Sequence, residues 1–529
     1  MGLARASATD GTLGSEGSYS FHVTTDIWTG RGLLNNRLFV RALTALIVLN
    51  VGYAAHAQRV VDQGIVIENV TLISPERATP LLHADVVIHD GRIVEVGTNL
   101  VASPHARRID GSGRFLIPGL IDSHVHVGHS AALDDDAIDA HPELWAAYRA
   151  QVPRAYLAFG FTSVVDLDIT PTDQAWFEGT RLHPHFYSCG GGIKVATGYM
   201  AFNVPPPSSP NFPNLVYEPK EADHWPKSLK PSDYTPERAV SRAADAGAIC
   251  VKAFVESGFG MFNWPYLHTE TLQKIQAVAK ERKLVLIVHA NSVDSWQSAL
   301  DAHADIIAHG LWVWPGDFGN SAPPPAASNV IAAASRLKTR VQPTMQTVAG
   351  ERAMVDPALL DDPRLTMALP PGVISYLRSA EGVKARNALL DNYRKASPPP
   401  GFEPLLKATI ERIRATFKIM LQEHVPLIFG SDTPAAEGFG NPPGLNGRLE
   451  LQNWADTGAP LPLILRAATL DNAIALGLSH ELGSIEAGKR ADLLLLKENP
   501  LTNVSAYDSI ETVFLNGEPI AREGLRAHD

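Results

Sequence analysis

The stretch FLIPGLIDSHVHVG, residues 115–128, joins an apolar run, Leu116–Ile121, to two histidines, His124 and His126. Successive side chains of a strand alternate between its two faces, so residues two positions apart share one face. Both imidazoles can therefore point into one cavity and bind one metal ion. A strand can also carry two such histidines without any function. The polar residues at the ends of later strands are what strengthen the prediction of a metal site.

Polar residues end several later apolar runs in the same way. Lys252 interrupts AGAICVKAFVES, His289 ends KLVLIVHAN, His309 ends ADIIAHG, and Asp432 follows the run VPLIFG. A buried lysine without a partner is rare, because removing an ammonium group from water is costly, although a lysine at the mouth of a strand can reach solvent. Any one of these histidines is also typical of a core or a loop. The order His-x-His, Lys, His, His, Asp is what predicts a metal site.

With these residues the sequence resembles the amidohydrolase superfamily, in particular its imidazolonepropionase- and prolidase-like members. Further matching segments are GIVIENVTLI and DGRIVEVG near the start of the chain, and GSIEAGKRADLLLL and VFLNGEPI near its end. The resemblance implies an α/β fold, a distorted TIM (β/α)8 barrel with a small β-sandwich domain formed by both chain ends. It predicts the sandwich over residues 58–115 and 483–529 and the metal-dependent barrel over residues 116–482.

A pass along the chain predicts eight barrel strands separated by helices or loops. We place them near residues 116–124, 160–167, 185–192, 248–254, 284–290, 304–309, 340–346 and 425–431. Two insertions follow the third and seventh strands, an extended loop over Val204–Pro236 and a mixture of short helices and turns over Val348–Phe402. Loops after barrel strands face the active site, so our hypothesis is that both insertions form a substrate lid.

The resemblance also implies a ligand set for two divalent metal ions. Zinc is the first expectation for nitrogen and oxygen ligands, and manganese or cobalt fits the same set. A lysine on the fourth strand of two-metal members takes up carbon dioxide and bridges the ions as a carbamate. Bound metals activate a bridging hydroxide, and the aspartate serves as the catalytic proton shuttle. The expected metal ligands are His124, His126, Lys252, His289, His309 and Asp432, and the last of these is the catalytic residue.

The segment CGGGIKVATGYM after the third strand predicts a tight turn, since it lacks the lysine and hydroxyl pair of a phosphate loop. In the superfamily this loop often reaches the substrate, which makes Tyr199 a candidate for substrate binding. Dipeptidase-like members commonly have Gly-Gly-His here, and the Gly-Tyr of this chain puts transfer of their substrate preference in doubt. The remaining histidines of interest are expected on loops or helix surfaces: His129, His183, His185, His303 and His424.

Length and composition agree with a large single-barrel protein. The chain has 529 residues, 45% of them hydrophobic, which supplies a sizeable core, and its net charge of -11 gives no basic footprint for nucleic acid. The expected partner is a small amide or peptide-like molecule, with no stable membrane partner and a homo-oligomer left open. Only Cys189 and Cys250 are present, on neighbouring predicted strands, and whether they pair is left open.

Residues 1–57 predict an N-terminal extension and a signal peptide. Arg37 and Arg41 precede an apolar run, Ala42–Val51, and the small-residue site Ala55-His56-Ala57 predicts cleavage before Gln58. The segment before the basic region is long for a signal peptide, so translation is expected to start near Leu33 or Leu34. An uncleaved anchor is the alternative, and either interpretation exports the protein, to the periplasm or beyond.

Three classes of function are compatible with these residues. The first is a metal-dependent hydrolase of a carbon–nitrogen bond, in a dipeptide, an N-acyl amino acid or a cyclic amide. The second is a one-metal deaminase, which usually carries a glutamate shortly after the fifth-strand histidine; the segment HANSVDSW has none, and Lys252 would have no role. The third is a non-catalytic binding protein, which should have lost a ligand. A lactonase or phosphotriesterase stays open, because the same hydroxide attacks esters.

Overall fold

The computed structural model describes residues 64–101, 103–201, 214–314, 321–434 and 438–528. The predicted signal peptide and its cleavage site lie outside these residues. The strands are β1 Ile65–Leu72, β2 Leu81–His89, β3 Arg92–Thr98, β4 Arg107–Asp110, β5 Phe115–Pro118, β6 Leu120–Val125, β7 Phe161–Asp166, β8 His185–Ser188, β9 Ile193–Lys194, β10 Asn214–Leu215, β11 Cys250–Phe254, β12 Val285–His289, β13 Ile306–Ala308, β14 Arg340–Gln342, β15 Leu493–Leu496, β16 Ile510–Leu515 and β17 Glu518–Ala521.

Helices occupy most of the connections between the strands. They are α1 Asp135–Ala140, α2 Pro142–Ala158, α3 Pro171–Gly179, α4 Pro236–Asp245, α5 Thr269–Glu281, α6 Val293–Asp301, α7 Pro325–Leu337, α8 Met345–Gly350, α9 Arg352–Val355, α10 Leu365–Ala368, α11 Pro371–Arg378, α12 Ala380–Ala396, α13 Phe402–Gln422, α14 Leu445–Thr457, α15 Leu461–Arg466 and α16 Asn472–Ala475, with a π-helical turn at Ala467–Asp471. Short 3-10 helices lie at Pro219–His224, Pro231–Asp233, Pro357–Asp361, Val504–Ser509 and Arg522–Leu525.

Both chain ends contribute to one mixed sheet. Its order is β17-β16-β15-β5-β1-β2-β3, with β4 paired to β1. The C-terminal strand β15 runs antiparallel to β5, with Leu494 opposite Ile117. The apolar residues of β1, β2 and β15 form a buried cluster of their own. The two end segments therefore join as predicted, whereas their arrangement as a two-layer sandwich and the predicted domain boundaries stay predictions.

Parallel strands form two further sheets, β6-β7-β8 and β10-β9-β11-β12-β13-β14. Strands such as β7 and β11 are buried along their whole length, because helices cover the sheet on the outside. Ordinary caps start these helices: in α6, for example, Ser292 and Ser295 form a capping box. The arrangement is a TIM-barrel-like α/β fold, in agreement with the predicted fold class at that level.

The first and the seventh predicted strands have different bounds in the structure. The first, residues 116–124, is divided at Pro118 and Gly119, so that β5 joins the mixed sheet and only β6 joins the parallel one. A side chain at Gly119 would collide with Thr162, and the Gly119 amide donates to the Asp492 carbonyl, which fixes the crossing between the sheets. The seventh, residues 340–346, ends at Gln342, and helix α8 begins at Met345.

The eighth predicted strand, residues 425–431, pairs with its neighbours through isolated bridges and hydrogen bonds instead of a continuous ladder. Val341 bridges Leu427 on one side, and the Ser123 amide donates to the Phe429 carbonyl on the other. Pro426 lacks an amide hydrogen, which limits pairing at this point of the segment. On the opposite side of the fold, the Ile249 amide donates to the Ser188 carbonyl and so links β8 to β11.

The two insertions have different outcomes. Val348–Phe402 contains short helices, as predicted, and also the longer helix α12, Ala380–Ala396. The described part of Val204–Pro236 is not the extended loop that was predicted, because it contains β10 and two 3-10 helices. The rings of Tyr217 and Tyr234 pack on Trp225, and this small cluster gives the segment a core of its own.

The two cysteines, Cys189 and Cys250, form a disulfide, which settles the pairing that the sequence left open. The bond joins residues 61 positions apart, at the end of β8 and the start of β11. Within the described part of the chain, the helices are too short or too polar to cross a membrane.

Candidate metal centre

The side chains of His124, His126 and Asp432 converge at the carboxyl end of β6. The Nε2 atoms of the two histidines each lie 3.1 Å from Oδ1 of Asp432. All three residues are buried, and one ligand atom from each lies within 4.8 Å of the others. Two imidazole nitrogens and a carboxylate oxygen directed at one point form a set that suits a divalent transition metal.

Backbone bonds hold the segment of Asp432 against β6. The Asp432 amide donates to the His124 carbonyl at 2.7 Å, and the His126 amide donates to the Thr433 carbonyl at 2.7 Å. Gly430 approaches the His124 side chain so closely that an added Cβ would lie 2.7 Å from the His124 Cβ atom. The position of Asp432 therefore follows from main-chain contacts as well as from its carboxylate.

Three residues of the site adopt a left-handed backbone conformation. The φ angles are +85° at His309, +44° at Thr344 and +57° at Asp432. Such angles are uncommon outside glycine and cost free energy, and they persist where the surrounding structure imposes them. His309 directly follows β13, Thr344 lies shortly after β14, and Asp432 follows the segment of the eighth predicted strand. At all three positions the side chain must turn inward.

Lys252 is 1% exposed, and its Nζ atom lies 3.4 Å from Nε2 of His124. Burial lowers the pKa of Lys252 to about 7, although the carboxylates of Asp432 and Asp168 act in the opposite direction. A neutral amine is therefore accessible near neutral pH, and only a neutral amine can react with carbon dioxide.

His289 and His309 form a second pair of candidate nitrogen ligands. Nδ1 of His289 lies 2.9 Å from Nε2 of His309. The outer nitrogen of His289 is 3.4 Å from Oε2 of Glu256, and that of His309 is 2.8 Å from the Thr344 hydroxyl. When both outer nitrogens donate their hydrogens to these oxygens, two lone pairs face each other across the inner gap. A cation between them removes this conflict, so the donor set fits a metal ion.

The two groups of ligands are neighbours. Nδ1 of His309 lies 3.7 Å from Oδ2 of Asp432, and the rings of His124 and His309 have centroids 5.1 Å apart. The structure thus brings together all six residues that the sequence analysis proposed as ligands.

Burial and mutual contact set the charge states of the group. Burial, with the nearby Lys252, lowers the pKa of His124 to about 3. Burial also lowers the pKa of His309 well below its ordinary value. Burial by itself would raise the pKa of Asp432, but its contacts with His124, His126 and His309 hold it well below the ordinary value. The neutral imidazoles of His124 and His309 beside an ionised Asp432 are the protonation states that metal binding requires, whereas the contact with Asp432 raises the pKa of His126 against the effect of burial.

Several supporting residues were not identified from the sequence. Asp122 accepts hydrogen bonds from the amide and hydroxyl of Ser431, next to Asp432, and burial raises the pKa of Asp122 to about 7. The Thr347 hydroxyl donates to Oδ2 of Asp432 at 3.2 Å. Asp122 precedes His124 by two residues and shares the alternation of the histidine pair, so this pattern could have indicated it. Nothing in the sequence pattern singles out Thr347.

The ring of Tyr199 lies beside the second pair, with its centroid 5.0 Å from that of His289. The structure therefore places this candidate substrate contact against an expected metal ligand. Among the other histidines, His129 stacks on His126 with centroids 5.4 Å apart while remaining exposed. His185, expected on a loop or a helix surface, lies on β8 instead, where it pairs with Asp492 and Arg490.

The model of the Amidohydrolase family matches residues 115–520. This span is most of the chain, so the protein belongs to that family, as the resemblance predicted. It contains the six candidate ligands and both insertions.

Curated relatives match over short segments. A dihydroorotase of Trichlorobacter lovleyi is 40% identical over 80 residues, 15% of this chain and 16% of the relative. An L-hydantoinase of Paenarthrobacter aurescens is 27% identical over 138 residues, 24% of this chain and 27% of the relative. The chain thus spans well under two thirds of the length of either relative.

Solved structures match over a much larger share. A Xaa-Pro dipeptidase with bound methionine has a TM-score of 0.59 and 19% identity, covering 87% of this chain and 100% of that one. A prolidase complexed with N-methylphosphonate-L-proline has a TM-score of 0.60 and 22% identity over 87% and 100% of the two chains. The ochratoxinase of A. niger has a TM-score of 0.59 and 19% identity over 86% and 95%. At these identities the likeness shows the fold alone.

Proposed function

We propose that the protein is a two-metal hydrolase of amide carbon–nitrogen bonds. The observation that carries the proposal is the convergence of side chains on Asp432. Nε2 of His124 and Nε2 of His126 each lie 3.1 Å from its Oδ1 atom, beside the buried Lys252. Relatives named dihydroorotase and L-hydantoinase, and neighbours titled prolidase, support a carbon–nitrogen bond as the target.

Two divalent ions, zinc first among them, are the cofactor that this donor set suits. His124, His126 and Asp432 would hold one ion, His289 and His309 the other, and the carboxylated Lys252 would serve both. Such ions lower the pKa of a shared water towards neutrality and polarise the carbonyl of the substrate.

Lys252 forms its carbamate by attack of the neutral amine on carbon dioxide, which makes an N–C bond and releases one proton. Burial, which lowers the pKa of the amine to about 7, keeps enough of it neutral for this reaction. The carbamate is an anionic oxygen donor that replaces the ammonium group of Lys252. An anionic oxygen suits a site that binds metal cations.

Asp432 is the proposed proton shuttle. Its Oδ1 faces the two imidazoles of the His-x-His pair, and its Oδ2 accepts a hydrogen bond from Thr347 at 3.2 Å. The carboxylate is thereby fixed in orientation, so it can take a proton from the attacking water and deliver it to the leaving nitrogen. Thr347 is a positioning residue in this scheme.

Two alternatives concern the reaction. A one-metal deaminase would leave Lys252 without a role, and the segment after His289 carries Asn291 and Ser292 in place of a glutamate. A lactonase or esterase could use the same site. Peptide-like and cyclic amides both remain within the proposal, with a small-molecule substrate in either case.

The links across the edges of the two parallel sheets support a distorted eight-stranded barrel around this site. For localisation, we propose export to the periplasm or beyond, with a signal peptide removed near Ala57. The buried disulfide between Cys189 and Cys250 supports an oxidising compartment, where such bonds persist. A homo-oligomer stays within the proposal.

The test is hydrolysis of a panel of dipeptides, N-acyl amino acids, hydantoins and lactones by the purified protein, with and without prior chelation. The proposal expects cleavage of at least one amide class, loss of that activity on chelation and its return with Zn²⁺. Asp432→Asn should lower kcat by about 100-fold or more. Activity that survives chelation, or release of ammonia from amino-substituted heterocycles alone, would contradict the proposal.

A further inference from the structure

The carboxylate of Glu256 connects a loop to an expected metal ligand. Glu256 lies just after β11, in the connection to α5, and is 3% exposed. Its Oε2 atom lies 3.4 Å from Nε2 of His289, the outer nitrogen of that histidine. Its Oε1 atom accepts hydrogen bonds from the amides of Gly258 and Phe259, each at 2.6 Å. One buried side chain therefore holds both the loop and the histidine.

The loop determines which oxygen of this carboxylate faces the histidine. Two amide groups point at Oε1, so Oε2 is the oxygen that is left for His289. Gly258 has a φ angle of +121°, and an added Cβ there would lie 2.6 Å from the backbone of Phe262. The turn at Gly258 is therefore tightly packed, and the carboxylate cannot rotate without losing both of its amide partners.

A carboxylate beside an imidazole decides which ring nitrogen carries the hydrogen. A carboxylate only accepts hydrogen bonds, so Nε2 of His289 carries the hydrogen when it faces Glu256. A neutral imidazole has one such hydrogen, which leaves a lone pair on Nδ1. This Nδ1 atom lies 2.9 Å from Nε2 of His309, where the second metal ion is expected.

The other polar neighbours of the pair do not distinguish between the two tautomers. Nδ2 of Asn291 lies 3.5 Å from Nε2 of His289, but a side-chain amide can flip and present its oxygen instead. The Thr344 hydroxyl, 2.8 Å from Nδ1 of His309, can donate or accept. Among the described residues, Nε2 of His289 is hydrogen-bonded to Glu256 and Asn291 alone, so the carboxylate is the group that makes the choice.

We propose that Glu256 is a positioning residue that selects the metal-binding tautomer of His289. The inference rests on the proposed function, because Nδ1 of His289 is an expected metal ligand, and it adds a residue outside the predicted ligand set. The carboxylate keeps the hydrogen on Nε2 and so prepares Nδ1 for a cation. Partners of this kind typically change metal affinity by about 10- to 100-fold.

Glu256→Gln separates the two tasks of the carboxylate. The new side-chain oxygen can still accept the amides of Gly258 and Phe259, which places the new amide nitrogen against Nε2 of His289. Two N–H donors then face each other, unless the histidine moves its hydrogen to Nδ1, the nitrogen that the metal needs. We therefore expect the loop to keep its fold and the metal site to lose affinity.

The experiment is a Zn²⁺ titration of chelator-treated protein in bicarbonate buffer, against a competing chelator. Wild type should bind two ions, and Glu256→Gln should keep one site and bind the second ion about 10- to 100-fold more weakly. The matched control is Glu218→Gln. Glu218 is also 3% exposed, and it accepts the amides of Lys220 and His268 at 3.3 and 3.0 Å. This control should bind Zn²⁺ as wild type does, because Glu218 makes no hydrogen bond to an expected ligand within the described part of the chain.

Equal Zn²⁺ affinities in wild type and Glu256→Gln, with both proteins folded by circular dichroism, would overturn the inference and leave the proposed function intact. Nitrogen-15 NMR of metal-free, histidine-labelled protein tests the tautomer without any metal, with the His289 signals assigned from their absence in His289→Gln. Wild type should carry the hydrogen on Nε2, and Glu256→Gln should carry it on Nδ1.

A hydrogen on Nδ1 of His289 in wild type would contradict the inference, even if Glu256→Gln does not fold. Binding of fewer than two ions by wild type would count against the proposed two-metal function, and the NMR result would still decide the role of Glu256.

Discussion

Removal of the Glu450 carboxylate should destabilise the fold behind the candidate metal centre. Glu450 is fully buried in α14, and its two oxygens accept three hydrogen bonds, from the Met345 amide at 3.0 Å, the Gln346 amide at 2.6 Å and the Trp454 indole at 2.7 Å. Two of these donors are the first free amides of α8, which have no partner within the helix. Glu450→Ala leaves all three donors buried without an acceptor.

Each such donor costs about 1–3 kcal/mol when unsatisfied, and entry of water into the vacated space recovers part of this. We therefore expect Glu450→Ala to lower the free energy of unfolding by about 3 kcal/mol, measured by guanidinium titration of chelator-treated protein so that metal binding does not contribute. Glu450→Gln keeps one acceptor and should lose less. The control is Glu411→Ala, whose side chain is 49% exposed and which should change the free energy by less than about 0.5 kcal/mol. A loss below about 1 kcal/mol for Glu450→Ala would refute the argument that these donors depend on this carboxylate.

Three further predictions concern buried groups. Asp168→Asn breaks the ion pair with Lys194, whose Nζ lies 2.6 Å from Oδ2, and should lower the free energy of unfolding by about 3 kcal/mol. Glu270→Gln, in the exposed pair with Lys220, is the control and should have little effect. Burial raises the pKa of Glu351 to about 7, so this group stabilises the fold below its ordinary pKa and loses that contribution as pH rises through 7. The free energy of unfolding of Glu351→Gln, relative to that of wild type, should therefore rise by about 2 kcal/mol between pH 4.5 and pH 8. A difference between the two proteins that is constant with pH would contradict the raised pKa of Glu351. Cys189→Ser/Cys250→Ser opens a loop between residues 61 positions apart and should cost about 3–4 kcal/mol in guanidinium unfolding; an unchanged midpoint would count against the bond.

The predictions from sequence agree best with the structure where residue type and strand periodicity point to the same residues. His124 and His126 share a strand face because strands alternate, and the later strand ends bring Lys252, His289 and His309 to the same place because parallel strands share a carboxyl edge. The family model confirms the resemblance that these residues suggested. The assignment of individual ligand roles stays a prediction.

The misses have local physical causes. The first predicted strand was drawn through Pro118 and Gly119, and the contact of Gly119 with Thr162, which decides the crossing there, is not visible in an apolar run. The segment of the eighth predicted strand keeps its place through an isolated bridge at Val341 and a hydrogen bond from the Ser123 amide, which no periodicity reveals. In the first insertion, Tyr217 and Tyr234 pack on Trp225, and this contact orders a segment whose proline-rich composition predicted an extended loop.

Supporting residues of the site were missed for a different reason. Glu256 acts on His289 from the loop after β11, at a sequence separation of 33 residues. Thr344, whose backbone is left-handed with φ of +44°, places its hydroxyl 2.8 Å from Nδ1 of His309. Interactions of this kind depend on tertiary geometry, and residue type and spacing carry no signal of them.

The proposed two-metal centre can be tested by the metal content of the protein purified without chelator, measured beside Lys252→Ala and Lys252→Glu. We predict close to two metal ions per chain in wild type, a clear loss in Lys252→Ala and partial retention in Lys252→Glu, because glutamate restores an anionic oxygen donor. Protein incubated with ¹³C-labelled bicarbonate should also show a carbamate signal by NMR that is absent from both variants. One metal ion per chain that does not depend on Lys252, with no carbamate signal, would contradict the two-metal centre.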